Sequence, residues 1–293
     1  MQRQSKQKKK GSALDHLLTV AIVIGLIVMG YPLVSQLYYR HISATIVTEF
    51  DAGVEELDLV EIDHRIDLAH AYNETLNTGL EDLHDPYTEE EKEAGKAEYA
   101  RMLEVREQIG HIHIPKILLK APIYAGTSEL VLQKGVGHME GTSLPVGGNN
   151  THTVLTAHRG LPTARLFTDL NRLEVGDRFY IKNIQETLAY QIAEIQVIEP
   201  HDYTDLMTVP GHDYATLLTC TPYMINSHRL VLRGHRIPYI EAQEEKDIKE
   251  NNTSTMYKYL FYITLAILIF VLFSQEKSKR KERKEKRDSA AKG

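Results

Sequence analysis

Two apolar runs, one near each end, restrict this chain more than any other feature. Residues 17–34 (LLTVAIVIGLIVMGYPLV) follow Arg3, Lys6, Lys8, Lys9 and Lys10, and residues 257–273 (YKYLFYITLAILIFVLF) precede KSKRKERKEKR. Each run is long enough to cross a bilayer, and the tyrosines that lead the second suit a membrane interface. Both basic flanks lie on the terminal sides, so the positive-inside rule places both termini in the cytoplasm and everything between the runs outside. The first run exceeds a usual signal-peptide core and lacks a small-x-small cleavage site after it, which favours an uncleaved anchor. The predicted organisation is a cytoplasmic basic tail (1–16), an anchor (17–34), a helical extracellular extension (35–107), a β-rich domain (108–240), a linker (241–256), a second transmembrane helix (257–273) and a second basic tail (274–293).

Charge follows the same partition. The first ten residues carry +5, the last twenty carry +5 and the whole chain −6, so the middle is close to −16. An ectodomain this acidic argues against nucleic acid as a partner, because phosphate binding needs a basic surface. The basic tails fit the anionic inner leaflet. A single cysteine, Cys220, excludes an intramolecular disulfide, so packing alone must hold the ectodomain together.

Between the runs, Ile46, Phe50, Val54, Leu57, Val60, Ile66, Leu68, Ala69 and Tyr72 recur at helical spacing among acidic and amide residues, predicting one long or two shorter amphipathic helices. Asp85-Pro86-Tyr87 then reads as a turn. From Gln108 the pattern changes to short strands: IGHIHIP, LLKAPIYAG, HTVLTAH, DRFYIKN, LAYQIAEIQVIEP, ATLLTC and RLVLRGHRI, with one helical stretch, SELVLQKGVGHM. Seven strand candidates separated by Gly and Pro predict a mostly-β barrel or sandwich.

Cys220 ends the strand ATLLTC just before Thr221-Pro222, where the chain must turn, and Arg229 opens the next strand after an eight-residue loop. In a hairpin these two positions are neighbours. A cation beside a thiol favours the thiolate, and guanidinium donors also suit a carbonyl oxygen that is gaining charge. His158, at the end of HTVLTAH, is the strongest of fourteen histidines for a proton donor, provided its strand runs parallel to and beside that of Cys220. Taken one at a time, each residue has an ordinary structural explanation, since a lone cysteine is among the commonest buried residues. One cysteine and no HExxH spacing leave no basis for a zinc site, and no cofactor is expected.

Together TLLTC, TPYMINSHR and LTAHRG resemble the sortases, membrane-bound cysteine transpeptidases of Gram-positive bacteria, over roughly residues 109–237. The short Cys-to-Arg spacing looks like the class C, pilus-building group. The resemblance implies a closed sortase-type β-barrel with short helices, an α-helical N-terminal extension carrying a lid, and two flanking transmembrane helices. It implies Cys220, His158 and Arg229 as catalytic residues and Asp85, Pro86 and Tyr87 as the lid, with Tyr where Phe or Trp is commoner. Thr219 is expected to help orient the site. The implied reaction cleaves an LPxTG-type signal between Thr and Gly and joins the acyl group to a pilin lysine, so the expected partners are pilin subunits and the membrane. A housekeeping sortase, a membrane-tethered cysteine protease and a non-enzymatic surface scaffold are the alternatives.

Overall fold

The computed structural model describes residues 10–77, 98–251 and 262. By its internal contacts the chain divides into two units, residues 1–239 and 240–293. In the second, residues 241–251 are helical.

The first unit is built on eight strands: β1 (Gly110–Ile114), β2 (Leu119–Ala125), β3 (Val136–His138), β4 (Thr151–Thr156), β5 (Arg178–Lys182), β6 (Thr187–Ile198), β7 (Asp213–Thr221) and β8 (His228–Ile237). They close into a barrel in the order β1-β2-β3-β4-β7-β8-β6-β5. The β2–β3 and β4–β7 pairs are parallel and the rest antiparallel. All seven strands expected from the sequence are present. The eighth, β3, lies inside SELVLQKGVGHM, where the helix α3 (Glu129–Lys134) stops and Val136–His138 pairs instead with β2 and β4. Three residues are too few for a period-2 signal, so β3 was hidden in a stretch that otherwise reads as helix.

Inward-facing apolar residues fill the barrel, among them Ile112, Ile123, Leu155, Phe179, Tyr190, Leu217 and Leu232, all essentially inaccessible. Phe179 and Tyr190 stack with centroids 5.5 Å apart. Gly234 on β8 is what lets them do so, since a Cβ there would come within 2.7 Å of the Phe179 ring. Closure removes the exposed strand edges on which an open sheet would aggregate.

Two helices precede the barrel: α1 (Lys10–Glu55), continuous across the expected anchor and the start of the extension, and α2 (Leu59–Asn77). The buried stripe of α1 includes Ser43, Val47 and Phe50, spaced by four and three residues. Ser43 Oγ donates to Lys120 O at 2.8 Å and Tyr39 Oη to Lys134 O at 3.1 Å. Asp51 takes Lys182 Nζ at 2.8 Å and lies 3.3 Å from His111 Nε2. On α2, Ile62, Ile66, Ala69 and Asn73 are buried, and Asn73 both donates to Leu144 O (3.1 Å) and accepts from Leu144 N (2.7 Å). Val60 and Leu68, expected in the apolar stripe, are instead 75% and 46% exposed. Their places are taken by Ile62 and Asn73, a polar residue that the hydrophobic pattern could not flag.

Among the described residues no helix is long and apolar enough to cross a membrane. The run at residues 17–34 lies within α1, but most of its side chains fall outside the described residues, as does the run at 257–273 apart from Tyr262.

Candidate active site

Strand register brings the three sequence-selected residues to one end of the barrel. β7 and β8 pair antiparallel with Cys220 opposite Arg229 and Leu218 opposite Val231. β4 runs parallel beside β7 with Thr156 opposite Leu218, so His158, two residues further, stands level with Cys220. Two hydrogen bonds carry this pairing past the last ladder position: Ala157 N donates to Leu218 O at 3.4 Å, and buried Thr219 Oγ1 donates to Ala157 O at 2.8 Å.

Alternation along the strands decides which face they share. Leu155, Leu217 and Leu230 point into the main core, whereas Val154, Leu218 and Val231 form a separate cluster with Ile198 and Leu206. Cys220, Arg229 and His158 have the parity of that second set, so they stand on the outer face at the end of this small second core.

Cys220 is half-buried and unpaired. The Arg229 guanidinium is steadied by its own loop, with Nη1 donating to Asn226 O (3.3 Å) and His228 O (3.2 Å). Arg159, beside His158, ties the loop after β4 to β7 by donating from Nη1 to Thr221 Oγ1 at 2.8 Å. At Gly160 (φ +94°) an added Cβ would lie 2.9 Å from the Tyr223 ring, so the loops after β4 and β7 meet at a position that suits only glycine. Beyond that contact Tyr223, Met224 and Ile225 expose an apolar tip in the loop that follows Cys220.

One neighbour of His158 was not foreseen. Glu129, the first residue of α3, places Oε1 3.3 Å from His158 Nε2, within ion-pair distance. The two groups are not aligned as a hydrogen bond, and Nε2 is out of contact with solvent. The same Oε1 accepts from Gln133 Nε2 at 2.9 Å. In the sequence Ser128-Glu129 looks like an ordinary helix start, with Ser128 as N-cap and an acid in the first turn, so nothing there signals a role beyond capping.

Several other histidines are committed elsewhere. His138 Nε2 faces Ser143 O at 2.8 Å, and since a carbonyl can only accept, Nε2 carries the proton while Nδ1 accepts from Tyr99 Oη at 2.7 Å. His152 has the opposite tautomer, with Nδ1 facing Met207 O (2.8 Å) and Nε2 facing Thr216 Oγ1 (2.7 Å). Burial pushes the pKa of each ring down to about 4, so both are neutral structural members. His111 is held near Asp51, and burial lowers its pKa as well. Asp85, Pro86 and Tyr87 lie outside the described residues.

Comparison with known proteins identifies the family. The sortase domain profile matches residues 112–237. The chain is 27% identical over 131 residues to sortase D of Bacillus subtilis (strain 168), covering 44% of this chain and 63% of that one. It is also 27% identical over 132 residues to sortase A of Bacillus anthracis, covering 45% and 61%. It thus spans less than two thirds of the length of these curated relatives. Solved structures are nearer. Sortase C1 of GBS pilus island 1 is 57% identical with a TM-score of 0.62, covering 68% of this chain and 94% of that one. Sortase C-1 from Streptococcus pneumoniae is 58% identical, also with a TM-score of 0.62, covering 67% and 100%. The chain belongs to the sortase family, with class C pilus sortases among its structural homologues.

Proposed function

We propose that this protein is a membrane-anchored cysteine transpeptidase that polymerises pilus subunits. The observation that carries the reading is the register of three adjacent strands, with Cys220 opposite Arg229 and level with His158. The Cys220 thiolate attacks the carbonyl between Thr and Gly of an LPxTG-type signal, and Arg229 stabilises the oxyanion or binds the substrate backbone. His158 protonates the departing glycine amine, leaving a thioacyl-enzyme. A lysine amine of the next pilin then attacks the thioester and gives its proton to His158; the thiolate leaves and an isopeptide bond remains. No nucleotide is consumed, because the thioester conserves the energy of the cleaved peptide bond.

Asp85-Pro86-Tyr87 is assigned as a lid over the thiol. The runs at 17–34 and 257–273 are assigned as anchors that leave the barrel outside the cell and both tails in the cytoplasm. The pilus sortases among the structural homologues favour a pilin lysine over a cell-wall amine as the final acceptor. Mixing the protein with pilins that carry LPxTG-type signals is expected to give covalent ladders. Cys220→Ala should abolish them, and His158→Ala or Arg229→Ala should slow them by about 10²–10⁴-fold. Ladders that persist in Cys220→Ala would refute the reading.

A further inference from the structure

We propose that Glu129 is a positioning residue that selects the tautomer of His158, an inference that rests on the acyl-transfer reading above. Histidine has two ring nitrogens, and in the neutral ring only one carries a proton. The partner that holds one nitrogen decides which state the other presents to the reaction. Here Nε2 lies 3.3 Å from Glu129 Oε1 and makes no hydrogen bond in this resting geometry. A carboxylate only accepts, so a small rotation of the exposed Glu129 side chain converts this approach into an Nε2–H···Oε1 bond. Nδ1 is then left as the nitrogen that exchanges protons with thiol, leaving amine and incoming amine.

Glu129 is itself restrained. Its backbone opens α3 behind the Ser128 cap, and Gln133 one turn on donates to the same Oε1. α3 leads directly into β3, which is paired with β4, so the helix that carries the carboxylate and the loop that carries the imidazole adjoin neighbouring strands of one sheet. Among the described residues the other charged or titratable groups near His158 are these. Cys220 stands level with it on β7, Arg229 lies one strand further on β8, and Arg159 turns its guanidinium to Thr221 and Thr168. Among these groups Glu129 is the one carboxylate, and the one that faces a ring nitrogen of His158.

The arrangement is that of a base oriented by a third group, with the orienting acid supplied by a short helix outside the strands that carry the other residues. The test uses the full chain in detergent micelles, ¹⁵N-labelled at histidine, with the His158 signals assigned by difference against His158→Ala. The wild type should show His158 protonated at Nε2. Glu129→Ala should mix the two tautomers or favour Nδ1–H and lower transpeptidation about tenfold, a part of the full general acid–base contribution. Glu129→Gln, whose amide oxygen still accepts, should keep the Nε2–H signature and recover most of the rate.

A Glu129→Ala protein with an unchanged His158 tautomer and unchanged rate overturns the inference while leaving the acyl-transfer reading intact, provided His158→Ala is impaired in the same assay. A fully active His158→Ala overturns both. A loss of rate that appears only as a lower unfolding midpoint, with the tautomer unmoved, assigns Glu129 to structure and also overturns the inference.

Discussion

The Thr219 hydroxyl joins the two strand ends that lead to His158 and Cys220. Its Oγ1 donates to Ala157 O at 2.8 Å across the β4–β7 boundary, one residue before both His158 and Cys220. Valine is nearly isosteric but cannot donate, so Thr219→Val leaves a buried carbonyl short of a partner. The expected cost is about 1–2 kcal/mol of stability and, because the loop after Ala157 is freed, about a tenfold loss of transpeptidation, read by urea denaturation and ladder formation. An unchanged rate would show that the strand ladder alone holds His158. The family resemblance implies an orienting role for Thr219, but the bond through which it would act depends on a parallel neighbour 62 residues away, which no local pattern reveals. Cys220 and Arg229 were readable because a hairpin places the end of one strand beside the start of the next. Glu129 was not, since its contact with His158 arises only when α3 folds across the β4 end.

Elements were legible in proportion to their length. Long strands such as β6 and β8 announce themselves by alternation and flanking turns, while β3, with three residues, exists because the sheet needs a partner between β2 and β4. Similarly, helical periodicity identified α1 and α2 but misplaced Val60 and Leu68. The deciding contacts on that face are polar: Asn73 with the Leu144 backbone, and Arg65 Nε and Nη2 with the carbonyls of Met102 (2.7 Å) and Glu104 (2.6 Å). These bonds fasten α2 to the loop between β3 and β4 and to the turn that precedes β1, on the chain leading to residues 78–97, where the proposed lid lies. If the tripeptide covers the thiol, Asp85→Ala or Tyr87→Ala should raise the rate of Cys220 alkylation severalfold with no change in the unfolding midpoint. Equal labelling of wild type and variants would return Asp85-Pro86-Tyr87 to an ordinary turn.

For the molecule as a whole, the buried imidazoles set the response to acid. His138 and His152 are kept neutral by burial, with pKa values pushed down to about 4, while in the unfolded chain both titrate near the ordinary histidine value. A depressed histidine contributes fully above its unfolded pKa, and that contribution is lost as pH falls toward the folded value. Between pH 7 and pH 5 the two together should remove roughly 2–4 kcal/mol. Asp51 acts in the same direction at lower pH. Burial alone would raise its pKa, but hydrogen bonds from His111 and Lys182 outweigh that and hold it below the usual carboxylate range. Its support for α1 therefore persists above the unfolded carboxylate pKa and fades as pH drops further. Urea midpoints measured at pH 7 and pH 5 check this, and equal midpoints would contradict it. None of this was visible in the sequence, where fourteen histidines look alike until tertiary packing selects which are buried.

The parallel β4–β7 pair has a consequence for how this protein can change over time. His158 and Cys220 are spaced by a backbone ruler whose unit is one residue, and a single-residue insertion in either strand rotates one of the two side chains through the barrel wall to the opposite side. The segments between β3 and β4 and between β6 and β7 sit at the other end of those strands and are free of that restriction. Lineages can lengthen or shorten them to suit new substrates while the phase of the two strands stays locked, so variation in this architecture should accumulate as loop length and almost never as strand length.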